Sequence, residues 1–149
     1  MRKSLLPVLA LLLACETVEP EYFVNLSGDY EGTFTAVYGG TLEMQFRIDQ
    51  LGDSYEGGGA VSGSVRIHPD LSWVYWDAEI GIRGTVAAGF EPEVTMEFSD
   101  GCAVNELSGV VSGLAIVLHG EVLPSDEECS SPPRGADVIG RLERVELER

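Results

Sequence analysis

The chain has 149 residues and a formal charge of −16, from 25 acidic residues against nine Lys and Arg. So acidic a balance argues against nucleic acid as a partner, because phosphate backbones are held by basic patches. It also argues against docking of the folded part on anionic lipid, and the length suits one domain with a sizeable core.

Met1 is followed by Arg2 and Lys3, then by an apolar run from Leu5 to Leu13 interrupted at Pro7. A basic stretch before a short apolar one is the shape of a secretory signal, and the run falls short of the roughly 20 residues that span a bilayer. At its end Leu12, Leu13, Ala14 and Cys15 resemble the lipobox of bacterial lipoproteins. That resemblance implies cleavage before Cys15, a diacylglycerol on its thiol and a further acyl chain on the freed amine. Each chain contributes about 0.8 kcal/mol per buried methylene, and two or more make a lasting anchor. Glu16 stands where the inner-membrane retention signal of such lipoproteins has Asp, which favours an outer-membrane address in a bacterial envelope. The expected division is a signal peptide over 1–14, a lipid anchor and acidic tether over 15–27, and a domain over 28–149. From Cys15 onward seven arginines face 25 acidic residues, a charge of −18, and no lysine remains.

With Cys15 lipidated, Cys102 and Cys129 form one even pair in an oxidising compartment and are expected to be bonded. A metal site is disfavoured, since neither has a second Cys or a His at close spacing.

From Gly28 the pattern has period two. Tyr30, Gly32, Phe34, Ala36 and Tyr38 share one parity against Asp29, Glu31, Thr33 and Thr35; after Gly39-Gly40, Leu42, Met44, Phe46 and Ile48 alternate with Glu43, Gln45, Arg47 and Asp49. This is a hairpin with one buried and one wet face. Beyond the Gly52-Asp53-Ser54 turn, residues 55–67 form a Gly-rich strand whose glycines suggest a bulge or a close backbone approach. His68-Pro69-Asp70 breaks the chain. Residues 73–86 follow, with Val74, Trp76, Ala78, Ile80 and Ile82 opposite Tyr75, Asp77, Glu79 and Arg83. Gly89 to Pro92 turns the chain toward Val94, Met96 and Phe98, and Ser99-Asp100-Gly101 turns it again. Strands near 107–111 and 114–122 lead to one long loop, 124–135, which Cys129 would tie back toward Cys102. The last strand covers 136 to about 147; its parity is unclear between Val138, Leu142 and Val145, and a bulge is expected there.

The class is therefore all-β, a single antiparallel meander of about eight strands. A closed barrel removes exposed edges and is the expectation; a β-sandwich is the alternative. A membrane-spanning barrel shows the same period with its apolar parity outward; the lipobox and the charged faces of the strands weigh against it. The opening Gly-Asp-Tyr-Glu-Gly-Thr-Phe of 28–34 and the repeated Ser-Gly steps at Ser62-Gly63, Ser108-Gly109 and Ser112-Gly113 resemble calycin-like barrels, lipocalins among them. The resemblance implies architecture and transfers no ligand residue.

No nucleophile elbow or phosphate loop is present, and His68 and His119 lack a partner set, so no enzyme, cofactor or metal is expected. Asp77 and Glu79, and the run Asp126-Glu127-Glu128, read as solvated surface. Trp76 belongs to the core parity, whereas Trp73 and Tyr75 do not and form a candidate binding surface. Two functions follow. In one, a solid barrel binds another envelope or extracellular protein, basic if charge steers it, as small periplasmic barrel inhibitors of proteases or lysozymes do. In the other, inward glycines (Gly57, Gly59, Gly63, Gly84, Gly120) leave room for one small apolar ligand.

Overall fold

The computed structural model describes residues 21–70 and 73–146, and the lipobox, including Cys15, lies outside them. Eight strands follow one another: β1 (Gly28–Ala36), β2 (Gly40–Leu51), β3 (Ser54–Arg66), β4 (Trp73–Val86), β5 (Glu93–Ser99), β6 (Val104–Ser112), β7 (Ala115–Val122) and β8 (Ala136–Arg144). Each pairs antiparallel with the next, and β8 pairs with β1, so the sheet closes as a barrel. Closure gives every strand a neighbour on both sides, although β4 meets β5 only over its Gly81–Val86 half, and the sandwich alternative is excluded.

Period two becomes inside and outside. Phe34, Leu42, Ile48, Val61, Trp76, Met96, Phe98, Leu107, Leu118 and Leu142 all point inward and are essentially inaccessible. Each such side chain contributes about 1.5–3 kcal/mol by leaving water. The opposite parity, with Glu31, Glu43, Arg47, Asp77, Glu79 and Arg141, is exposed. That is the reverse of a membrane-spanning barrel, whose outer band is apolar.

The inward glycines are close approaches, and they do not hollow out the interior. Registers run unbroken along both sides of β3, so it carries no bulge. Tyr55 pairs with Gly84, and its ring lies about where a Gly84 side chain would begin, 2.5 Å from that position. Phe34 covers Gly140 in the same way, at 2.3 Å. Aromatic side chains thus fill the notches that the glycines leave. Burial raises the pKa of the Tyr55 phenol, whose hydroxyl donates to the Thr95 carbonyl oxygen across β4 and β5.

Two expectations need correction. The bulge in the last strand is absent: β8 alternates regularly and keeps continuous register with β1 and β7. Its parity was obscured because Gly140 takes an inward place while Ile139 and Val145 are exposed. Residues 21–27, expected as a free tether, form a strap that closes the barrel end. Leu26 is in the core, Phe23 and Val24 pack against it, and the Leu26 N–H donates to Gln50 Oε1. Arg144, at the end of β8, donates to the Asn25 carbonyl and to the Tyr30 hydroxyl.

The barrel therefore has two unlike ends. The strap end carries residues 21–27, the end of β8 and the turns β2–β3, β4–β5 and β6–β7. The loop end carries the turns β1–β2, β3–β4 and β5–β6 and the long segment between β7 and β8.

Candidate functional site

The meander brings the β1–β2 and β3–β4 turns together at the loop end, because β2 and β3 pair along their whole length. Glycine at 39 and 40 is required there. Both have positive φ, and a side chain on Gly40 would start 2.1 Å from the Ser64 carbonyl oxygen. Trp73 starts β4, and its ring lies against this bare turn, 3.6 Å from the corresponding position on Gly39. Arg66, paired with Trp73, places its guanidinium 4.8 Å above the ring. Such contacts contribute roughly 0.5–1 kcal/mol at exposed sites. Among the described residues Arg66 has no carboxylate partner, and its Nε is buried without a hydrogen bond. Tyr38 and His68, one from each turn, approach to 5.8 Å between rings.

Both candidates from the sequence lie on this rim. Trp73 is 41% exposed and Tyr75, two residues on and so on the same face, is 78% exposed. Trp76 is core, its ring tilted against that of Phe98 at 5.8 Å between centroids. The sequence reading missed Tyr38 and Arg66. Each sits by a turn unremarkable in isolation; the β3–β4 hairpin pairs Arg66 with Trp73, and β2–β3 pairing brings the turn that carries Tyr38 alongside. His119 is elsewhere, outward on β7 between Ser108 and Ile139. Asp77 and Glu79 are solvated. Among the described residues no group of three or more His, Cys, Asp or Glu is placed to hold a metal.

The long segment closes the loop end, and Cys102 and Cys129 are bonded across it, with Cα atoms 5.1 Å apart. Two polar anchors, one buried and one half-buried, support this arrangement. Asn105, inward on β6, accepts the Leu123 N–H at 2.7 Å. Asp100 accepts from the Cys102 and Ala103 N–H groups and from Trp76 Nε1. Partial burial alone would raise its pKa, but these bonds and one from Ser125 outweigh that and hold it below the usual carboxylate range. A depressed folded-state pKa stabilises the fold above the unfolded value near 3.8, and that contribution is lost as pH falls through the folded value. Asp100→Asn is therefore expected to cost about 1–2 kcal/mol at neutral pH. In urea titrations the gap between wild type and variant should close in acid; a gap equally wide at pH 7 and about pH 2 would contradict the charge-based account.

Open depressions lie on the outer wall, one of them among Glu31, Thr33, Glu43, Gln45, Arg141 and Glu143. The aromatic rim, with Trp73, Tyr75 and Tyr38 exposed, lies apart from it.

No protein-family model and no curated protein matches this chain. Solved structures do. The structure of EF1p2_mFAP2b bound to DFHBI is 13% identical, with 80% of this chain and 94% of that chain covered and a TM-score of 0.48. A de novo designed fluorescence-activating β-barrel is 14% identical, with 83% of this chain and 94% of that chain covered and a TM-score of 0.43. At these values neither bears on what this chain binds.

Proposed function

We propose that the chain is a lipid-anchored bacterial envelope protein, tethered through Cys15, whose barrel is a non-enzymatic scaffold that binds another envelope or extracellular protein. The observation that carries this reading is the rim itself: Trp73, Tyr75 and Tyr38 stand exposed near Arg66, which has no carboxylate partner among the described residues, on a barrel filled with side chains. Aromatic and Arg side chains dominate the energetics of protein interfaces. The charge of the remaining outer surface favours a basic partner by steering its approach. A small apolar ligand would have to displace Tyr55, Phe34 or their neighbours from the interior, against their packing.

Native mass spectrometry of the mature protein after incubation with an envelope extract tests the reading, with the Trp73→Ala/Tyr75→Ala variant run in parallel. A protein-sized added mass is expected with wild type. The variant should lose about 2 kcal/mol or more of that affinity, roughly thirtyfold in Kd. An adduct of small-molecule mass kept equally by both proteins would make the barrel a ligand carrier instead.

A further inference from the structure

The strap end differs from the loop end in the way its apolar side chains are spread. Leu51 beside the β2–β3 turn is 88% exposed, Phe90 in the β4–β5 turn 94%, and Leu114 in the β6–β7 turn 56%. Every turn at this end thus holds one large apolar side chain out into solvent, with Tyr22 and Val145 exposed beside them on the two terminal segments. Single exposed apolar residues are ordinary. A set that occupies each turn of one barrel end, with none of the described residues over it, is not ordinary for a face meant to meet water.

The path of the chain identifies what covers this end. The Gly89 N–H donates to the Tyr22 carbonyl at 2.9 Å, so the incoming chain is fastened to the turn that carries Phe90. Five residues separate Cys15 from Glu21, and the six residue steps between them reach about 20 Å at full extension. An acyl anchor on Cys15 holds the strap end that close to the bilayer. The loop end lies away from it by most of the length of β4, whose 14 residues rise roughly 3.3 Å each before tilt.

We propose that Leu51, Phe90 and Leu114 form a membrane-resting crown: they enter the interfacial layer of the bilayer that holds the acyl anchor, so the barrel stands on end with its Trp73 rim directed outward. The inference rests on the lipid-anchor reading above. Asp53, Glu91 and Glu93 lie in or beside the same turns, so the surface contacted is one of zwitterionic headgroups, and anionic lipid weakens the contact. The crown supplies apolar area at the depth where amphipathic surfaces settle. It gives the partner-binding reading an orientation that a slack tether would not.

Both native tryptophans, Trp73 and Trp76, belong to the loop end, which makes the protein its own control. The acylated mature protein is reconstituted in phosphatidylethanolamine and phosphatidylcholine vesicles whose acyl chains carry bromine, a contact quencher of indole emission. Wild-type emission is expected to be unchanged by bromination. Phe90→Trp is expected to add a blue-shifted component that bromination removes, and that removal should weaken when anionic phosphatidylglycerol is included. An added component that stays unquenched, while the mass of the Cys15 peptide shows its acyl chains, would overturn the crown and leave the anchor standing. Quenching of the wild-type tryptophans would place the opposite end on the membrane and overturn it too. A Cys15 peptide without acyl mass would refute the anchor reading and the crown with it.

Discussion

Gly59→Ala is expected to destabilise the barrel by about 3 kcal/mol or more, enough to leave much of a marginal domain unfolded, whereas Gly81→Ala is expected to be neutral or stabilising. Both residues lie within long strands and neither has a positive φ, so the contrast is one of space. Gly59 faces inward opposite Phe46, and a side chain there would begin 1.9 Å from the Gln45 carbonyl oxygen and 2.5 Å from Phe46 Cα. Those atoms are backbone. No rotamer change relieves the clash; β2 would have to move, and β2 is also paired to β1 along its length. Overpacking of a core ordinarily costs about 1–3 kcal/mol, and a clash with fixed backbone belongs at the upper end. Gly81 faces outward with nothing within 4 Å of its added carbon. There, alanine loses less chain entropy on folding, worth roughly 0.5–1 kcal/mol. Urea unfolding followed by Trp76 emission separates the two. Equal midpoints would mean that β2 and β3 do not need this close approach.

The same glycines mark where the sequence was hard to read. Alternation along β1, β2, β4 and β5 was plain because large apolar residues occupy nearly every inward place. In β3 the inward places hold Gly57, Gly59 and Gly63, and in β8 Gly140, and a glycine has no polarity by which to declare a face. From sequence those positions fitted a bulge, a hollow or a close contact equally well. The answer lay in the partner strand, where Phe46, Trp76 and Phe34 pair with Gly59, Gly63 and Gly140. Strand pairing also decided the rim: Trp73 and Tyr75 were visible as residues off the core parity, while Arg66 became a neighbour through the β3–β4 hairpin and Tyr38 through β2–β3 pairing. The strap was misread for a related reason. Phe23, Val24 and Leu26 have no periodicity among the acidic residues before them, and their burial depends on the open barrel end they cover.

Breaking the bond between Cys102 and Cys129 by joint replacement with alanine is expected to cost about 3–4 kcal/mol, from the loop-closure entropy of a chain of this separation. For a domain of this size that lowers Tm by about 10 °C or more. The eight strands need not rearrange, because no ladder hydrogen bond involves either cysteine. The segment between β7 and β8 is held mainly to itself: Asp126 accepts from the Glu128 and Ser130 N–H groups, and its own N–H donates to the Ser130 carbonyl. Its ties to the barrel include the Leu123 bond to Asn105, the Ser125 bond to Asp100, the Gly135 bond to Glu121 and the disulfide. Among the described residues the disulfide is the tie that grips its middle. Native-state hydrogen exchange should therefore show the largest acceleration across 124–135 in the variant, with the strand amides quickened together by the loss of global stability. A variant whose Tm and loop exchange both match wild type would show that the segment closes the barrel end without its crosslink. Dependence on the bond suits a protein that folds where thiols are oxidised.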